Sequence, residues 1–128
     1  MRFMIIVKAT ADSEAGVMPS NELIEAMGRF NEKLINAGVL VTAEGLQASS
    51  KGTRVKYSKG RHTVTDGPFA EAKEVAGGYA ILDARSQEEA VAGARRVVEL
   101  HQKHWPGWEG SVEVRRISEP EEGPPPGA

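Results

Sequence analysis

The chain has 128 residues, of which 40% are hydrophobic, and this size and composition are those of one domain with one core. Sixteen basic and eighteen acidic residues give a formal net charge of −2, without the basic block that tracks a phosphate backbone. The lack of cysteine excludes disulfides, thiolate metal sites and cysteine nucleophiles. The apolar run at the N-terminus is too short to cross a bilayer. We therefore expect a cytoplasmic protein that contacts neither nucleic acid nor membrane.

The first half of the chain predicts a strand, a helix and a second strand. Residues 2–8 alternate between a wholly apolar face and a mixed face, as in a strand that helices cover on one side. Residues 10–19 have the composition of a loop. Apolar residues then recur at helical spacing over residues 20–38, and a glycine ends that pattern. Residues 39–46 form the next strand, in which Glu44 lies on the less apolar face.

The second half predicts a hairpin, a central strand, a second helix and a last strand. Residues 53–65 form two short, charge-rich strands inserted between core elements. Residues 74–84 are apolar on both faces, as in an interior strand, and contain two glycines that allow a close backbone approach. Residues 86–104 begin with capping-box spacing and continue with helical periodicity, and residues 111–117 alternate as a strand. Residues 119–128 predict a disordered acidic tail, so the domain is expected to span residues 1–118.

This order of elements predicts an α+β fold of the ferredoxin-like βαββαβ type with an inserted hairpin. Two helices then cover one face of a four-stranded antiparallel sheet. The other face stays uncovered, and strict alternation is expected to place five apolar residues on it. These are Met4, Ile6, Leu40, Ala80 and Leu82. An uncovered apolar face requires a partner, and a second copy of the chain is the simplest one, so we expect a homodimer.

A series of short motifs in one order resembles the YCII-related domain family, specifically its DGPF branch. The series comprises Gly45-Leu46, Arg54-Val55, Asp66-Gly67-Pro68-Phe69, Lys73-Glu74, Gly77-Gly78, Glu88-Glu89-Ala90 and Glu113-Val114-Arg115. The resemblance implies a dimeric α+β barrel, in which two ferredoxin-like subunits pack sheet against sheet and a cleft opens beside each sheet. It also implies either cofactor-free chemistry on small, often ring-derived organic acids or a role beside alternative sigma factors. Residues 101–110 depart from the branch, so the resemblance implies nothing about them.

The DGPF tetrapeptide permits two interpretations. An Asp before Gly-Pro commonly accepts backbone N–H groups in a turn, which makes Asp66 a structural residue. Alternatively, Asp66 shares a cleft with the carboxylates of Glu44, Glu71 and Glu74, where one of them acts as a general acid or base on a small organic acid. His62, four residues before Asp66, could complete a proton-relay dyad, or it is an exposed hairpin histidine. The candidate catalytic residues are therefore Asp66, His62 and Glu74.

Six further residues are candidates for binding a substrate. Cationic side chains suit a carboxylate ligand, although surface ion pairing is the alternative, and an aromatic ring stacks on a ligand or fills the core. The six are Glu44, Arg54, Phe69, Lys73, Tyr79 and Arg115.

The end of the second helix carries residues whose role the sequence leaves open. His101 and His104 suit the helix C-terminus or a metal, but a third ligand is not near them in sequence, so we expect no metal. Trp105 and Trp108 either form a lid over the helix end or line the mouth of a cleft. Motifs for nucleotides, zinc or a serine nucleophile do not occur, so no cofactor is expected. The expected ligand is a small molecule bound by an enzyme or by a non-catalytic, regulatory module.

Overall fold

The structure is a computed structural model that describes residues 1–71 and 74–120. Its central element is a four-stranded antiparallel sheet of β1 (Arg2–Lys8), β2 (Leu40–Gly45), β5 (Ala76–Asp83) and β6 (Val112–Arg116). The strand order is β2-β5-β1-β6, so the strand rich in apolar residues, β5, lies inside the sheet as predicted. This order is that of the split βαβ arrangement, and the predicted ferredoxin-like fold is confirmed.

Two long helices, α2 (Asn21–Asn36) and α3 (Gln87–His104), connect these strands. Each begins at a serine whose hydroxyl accepts a backbone N–H of the first turn: at 3.1 Å for Ser20 and at 3.2 Å for Ser86. The α2 pattern stops before Gly38, whose φ of 72° favours glycine. None of the helices in the described part combines the length and the apolar content that crossing a bilayer requires.

A third, short helix, α1 (Ala11–Glu14), lies where the sequence predicted only a loop. The Ser13 N–H donates to the Thr10 hydroxyl at 3.1 Å, and the Thr10 N–H donates to the Ser13 hydroxyl at 2.8 Å. This reciprocal capping closes one helical turn. Because α1 buries none of its residues, it has no apolar periodicity by which the sequence could reveal it.

The main core lies between the sheet and α3. Phe3 and Ile5 of β1 and Leu82 of β5 pack against Ala90 and Ala94 of α3. Small alanine side chains on the facing side of the helix allow it to approach the sheet closely, and Phe3 is only 1% exposed. These residues come from the alternating apolar face of β1 that the sequence identified.

A β-bulge changes which side of β2 faces the helices. Leu40 pairs with Leu82 and Thr42 pairs with Ile81, so the register shifts at Val41. A bulge inserts one extra residue into a strand. The residues that precede the bulge therefore point to the face opposite the one that strict alternation predicts. The expectation that Leu40 lies on the uncovered face is therefore wrong, since Leu40 packs against the helix-side core.

Two residues of β5 that were expected on the uncovered face also lie on the helix-covered face. Ala80 pairs directly with Ile5, and Leu82 is 4% exposed in the core, so neither lies on the uncovered face. Directly paired residues share a face, and the uncovered face therefore carries the residues paired with Met4 and Ile6. Its apolar members are Met4, Ile6, Tyr79 and Ile81, all of them half-buried.

The inserted hairpin of β3 (Thr53–Ser58) and β4 (Arg61–Asp66) forms a separate two-stranded sheet. Its turn has φ of 51° at Lys59 and 78° at Gly60, as a tight I′-type turn requires. All residues of both strands are exposed. One face is nonetheless apolar: Val55, Val64 and Tyr57 are each 68% exposed.

The start of the predicted tail contacts the sheet. Both Arg2 Nε and Arg2 Nη2 donate to the Glu119 carboxylate, at 2.9 and 3.0 Å, and these hydrogen bonds lower the pKa of Glu119. The remaining part of the predicted tail, residues 121–128, lies outside the described residues.

Candidate functional site

A cleft of about 1140 Å³ lies between the helix-covered side of the sheet and the helices α2 and α3. We call it the sheet–helix cleft. The sheet side of its lining includes four small residues, which leave space beneath α2 that larger side chains would fill. These small residues are Ala43, Gly45, Gly78 and Ala80. The helix side and the mouth are mainly apolar and include Val17, Leu23, Ile24, Met27 and Leu34.

The two glycines of β5 lie close to the protein's own backbone. A Cβ on Gly78 would lie 3.1 Å from the Glu44 carbonyl oxygen, and a Cβ on Gly77 would lie 3.4 Å from Ala9 Cα. The predicted close approach is therefore that of neighbouring chain segments. Gly77 and Gly78 also line the cleft. Their lack of a side chain therefore permits this packing and also leaves the cleft open.

One wall of the cleft comes from the end of α3, where His101, Trp105 and Trp108 line it. His101 Nδ1 donates to the Val97 carbonyl at 2.8 Å, and the His101 ring lies 5.0 Å from the Trp108 ring. A Cβ on Gly110 would lie 2.4 Å from the Trp108 ring, so the indole packs directly on the Gly110 backbone. The Trp108 ring thus contacts both the Gly110 backbone and the His101 ring at the wall of the cleft.

Trp105 combines the two roles that the sequence left open. Its ring packs against the cluster of Leu23, Ala26 and Leu100 that joins α2 to α3, and it also lines the cleft. The Trp105 side chain therefore stabilises the helix pair and forms part of the wall.

A chain of hydrogen bonds, which we call the rim latch, holds one edge of the cleft together. The Glu14 carboxylate accepts the Ser49 N–H at 3.0 Å and also the Ser49 hydroxyl. The Ser49 hydroxyl oxygen in turn accepts the Phe69 N–H at 3.1 Å. The hydrogen bonds from Ser49, first the side-chain bond and then the backbone bond, lower the pKa of Glu14. The latch joins α1 to the 3₁₀ turn Ser49–Lys51 and to the DGPF segment.

Gly67, the glycine of the DGPF segment, packs against the backbone of residues 49–52. The Gly67 N–H donates to the Gly52 carbonyl at 2.9 Å, and a Cβ on Gly67 would lie 1.7 Å from the Ser49 carbonyl oxygen. Only glycine fits there, and the following peptide bond to Pro68 is cis. Phe69 is half-buried beneath the Arg54 guanidinium, which lies 4.1 Å from the ring centre.

Asp66 lies at the root of the exposed hairpin and not in the lining of the cleft. Its carboxylate accepts the Thr53 hydroxyl at 3.2 Å across the paired strands. The expected turn contact is therefore replaced by a cross-strand hydrogen bond. His62 lies on the same strand with its ring against Tyr57 at 5.2 Å. Four residues of strand separate the His62 and Asp66 Cα atoms by about 13 Å, so the expected dyad does not form within one chain.

The other predicted residues near the hairpin also lie outside the cleft lining. Glu74 is exposed, and its N–H donates to the Glu71 carbonyl at 2.8 Å. Arg54 forms an ion pair with Glu71 at 3.3 Å. A hydrogen bond with its own backbone and then the Arg54 guanidinium lower the pKa of Glu71. Lys73 lies outside the described residues.

Three predicted binding residues lie on the sheet. Glu44 and Tyr79 contribute to the cleft lining, but the strand pairing sets both on the uncovered face, with Tyr79 opposite Ile6. Arg115 is exposed on that same face and pairs with Met4. The structure therefore distributes the sequence candidates over the hairpin root and the uncovered face and does not gather them at one point.

Glu14 and Ser49 have no sequence signal that marks them as part of a site, and the sequence predicts no single role for His101. Nothing local connects Glu14 with Ser49, because they are 35 residues apart and meet only in the folded chain. Within residues 1–71 and 74–120, no three carboxylate or imidazole groups converge as a metal site requires.

Comparison with known proteins fits this architecture. The model of the YCII-related domain matches residues 1–119. The chain belongs to the YCII-related domain family. This confirms the family that the motif order indicated.

Two known proteins are similar to this YCII-related protein. The "Uncharacterized protein R00369" of Rhizobium meliloti (strain 1021) is 32% identical over 92 residues, which are 72% of this chain and 70% of that protein. The 5-chloro-2-hydroxyhydroquinone dehydrochlorinase (TftG) from Burkholderia phenoliruptrix AC1100 was solved in complex with 2,5-dihydroxybenzoquinone. It superposes with a TM-score of 0.51 over 92% of this chain and 94% of that chain, at 17% identity. This likeness supports the α+β fold of the chain.

Proposed function

We propose that this YCII-related protein binds a small, ring-shaped organic acid in the sheet–helix cleft and transforms it by acid–base chemistry without a cofactor. The cleft itself supports this function. Its volume of about 1140 Å³ is enough for such a molecule, since ligand sites commonly measure roughly 300–1,000 Å³. A mainly apolar lining with a few polar groups at the edge is also typical of ligand sites.

The polar groups of the lining suit an acidic ligand. Lys51 and Lys8 supply positive charge at the rim, although Lys8 also forms an ion pair with Glu113 at 3.2 Å. The hydrogen bonds from Ser49 favour the ionised form of the Glu14 carboxylate and occupy it as an acceptor. The His101 imidazole is then a lining group that can act as a general acid or base.

The name of the structural neighbour supports a ring compound as the ligand class. TftG is a dehydrochlorinase of a chlorinated hydroxyhydroquinone, and its bound 2,5-dihydroxybenzoquinone is a planar ring with acidic hydroxyl groups. Such a molecule combines an apolar body with ionisable oxygens. The sheet–helix cleft offers aromatic walls at Trp105 and Trp108 and cations at its edge, which are the complementary groups.

A second candidate function is a non-catalytic module that binds a small ligand or a regulatory protein of a sigma-factor system. The inserted hairpin favours it, because Val55, Tyr57 and Val64 form an exposed apolar face on an element that carries no core residue. The two functions differ in turnover: an enzyme consumes a ligand of the cleft, whereas a binding module returns it unchanged.

Gly28 of α2 provides the experiment that tests the cleft as the site. Gly28 lines the cleft, and a Cβ built there meets nothing within 4 Å, so a larger side chain enters open space without a clash. We expect Gly28→Leu to weaken the binding of 2,5-dihydroxybenzoquinone by about tenfold or more, measured by isothermal titration calorimetry. The folded state should gain about 0.5–1 kcal/mol, since glycine destabilises a helix interior.

Two matched variants serve as controls. Glu32→Leu adds the same side chain to an exposed position of α2 outside the cleft lining, and Asp66→Asn alters the hairpin root. Both should bind the probe as the unmodified protein does. Equal affinity of Gly28→Leu and the unmodified protein would show that the ligand binds outside the cleft. A loss of affinity in Asp66→Asn alone would indicate that the ligand binds at the hairpin root.

A further inference from the structure

We propose that His101 is the proton acceptor of the sheet–helix cleft and that its Nε2 takes the proton of a weakly acidic ring hydroxyl. This inference rests on the proposed function of the cleft and assigns the group that performs its chemistry. His101 lines the cleft in the last turn of α3, within the segment that departs from the family pattern.

The hydrogen bond to Val97 defines the tautomer of His101. A carbonyl oxygen only accepts hydrogen bonds, so His101 Nδ1, at 2.8 Å from the Val97 oxygen, carries the hydrogen. In a neutral imidazole the other nitrogen then holds a free lone pair. Because Nδ1 faces the backbone of its own helix, Nε2 lies on the edge of the ring that points away from α3. The free lone pair is therefore on the outer edge of a ring that lines the cleft.

The ring of His101 is held in place from two directions. The Val97 carbonyl fixes one edge, and the Trp108 indole lies 5.0 Å away at an angle of 44°. Trp108 in turn packs on the Gly110 backbone. A base whose position is fixed before the ligand arrives needs no reorganisation during proton transfer.

His101 also lies at the end of α3 that carries negative charge. The C-terminal turn of a helix carries partial negative charge from its carbonyl groups, and a cation there is stabilised. His101 belongs to the last turn of α3.

The proposed step balances without an oxidant or a reductant. The O–H bond of a phenol or enol breaks, and its proton forms the N–H bond at His101 Nε2. The electron pair of the broken bond stays on the ring oxygen, which becomes a phenolate or enolate next to the imidazolium. Return of the proton to a ring carbon would complete a tautomerisation.

The test uses 4-nitrophenol, whose yellow phenolate reports ionisation directly. In a buffer where the free probe is mainly protonated, the unmodified protein should bind it and generate the phenolate band. His101→Gln should bind the probe but lower the bound phenolate fraction by about tenfold or more, since glutamine cannot accept a proton. His104→Gln is the matched control, because His104 lies three residues further on α3 and outside the cleft lining. It should behave as the unmodified protein does.

A second measurement does not depend on any variant or ligand. Nitrogen-15 NMR of the unmodified protein, at a pH high enough for histidine side chains to be neutral, should show Nδ1 of His101 protonated and Nε2 unprotonated. The opposite tautomer would overturn the inference, and so would an unchanged phenolate band in His101→Gln. If the unmodified protein binds neither 4-nitrophenol nor 2,5-dihydroxybenzoquinone, the proposed function fails, and the assignment of His101 fails with it. Binding of either probe with no loss of ionisation in His101→Gln overturns only the role of His101.

Discussion

Replacing Gly67 with alanine should be among the most destabilising single changes in this protein. The new Cβ would lie 1.7 Å from the Ser49 carbonyl oxygen, whereas an ordinary carbon–oxygen contact needs about 3.3 Å, so one backbone segment must retreat by about 1.6 Å. The Ser49 carbonyl accepts the Gly52 N–H at 2.9 Å, and Gly67 donates to the Gly52 carbonyl at 2.9 Å. Both hydrogen bonds are lost or weakened by such a movement.

The rim latch is disturbed by the same movement. Ser49 donates to the Glu14 carboxylate and accepts the Phe69 N–H, so displacing Ser49 strains both contacts. Neutral hydrogen bonds contribute about 0.5–1.5 kcal/mol each and bonds to a charged group about 1.5–3 kcal/mol. Because the segment relaxes partly, we expect Gly67→Ala to lower the free energy of unfolding by about 2–4 kcal/mol, which is high for one substitution.

Urea unfolding followed by tryptophan fluorescence measures this loss. The matched control is Gly28→Ala, the same chemical change at a position where a Cβ meets nothing within 4 Å. That variant should gain about 0.5–1 kcal/mol, because alanine is the better helix residue. A loss of less than about 0.5 kcal/mol in Gly67→Ala, within the range of ordinary surface substitutions, would refute the proposed close contact between Gly67 and Ser49.

Two further predictions concern the rim latch and the uncovered sheet face. The lowered pKa of Glu14 means that its contribution to stability is present above its ordinary pKa and is lost as the pH falls through the lowered value. Glu14→Gln should therefore lower the melting temperature at neutral pH, and the difference from the unmodified protein should shrink in acid; a difference that does not change with pH would contradict this. The uncovered face, with half-buried Met4, Ile6 and Ile81, should form the interface of a homodimer, and Ile81→Lys should yield monomers in analytical ultracentrifugation. Sedimentation of the unmodified protein as a monomer at micromolar concentration would show that this interface does not form.

The amino-acid sequence was sufficient for the elements whose signals are local. The apolar periodicity of α2 and α3, with Ser20 and Ser86 before them, predicted both helices, since a cap and its helix are neighbours in the chain. The hairpin followed from Lys59 and Gly60 between two short alternating runs. The order of these elements then restricted the topology to the ferredoxin-like arrangement.

Alternation alone was not sufficient to assign the faces of the sheet. A single extra residue at Val41 moves Leu40 to the opposite side, and a bulge depends on hydrogen bonding to the neighbouring strand. The one-turn helix α1 was missed for a related reason. It has no buried face, and only its capping pair stabilises it locally.

The DGPF segment shows most clearly what sequence and tertiary structure each decide. The sequence alone identified Asp66, Gly67 and Phe69 as a special turn, because glycine and proline restrict the backbone wherever they occur. It could not tell which side of the turn faces a cleft, since that depends on Ser49 and Glu14, which come from distant parts of the chain. In the folded protein Gly67 packs against the Ser49 backbone, so Asp66 remains at the hairpin root, and the cleft is lined instead by His101 from the end of α3. Residue types and local spacing thus determined the elements and the turn, whereas contacts between segments far apart in sequence decided which titratable group lies beside the open space.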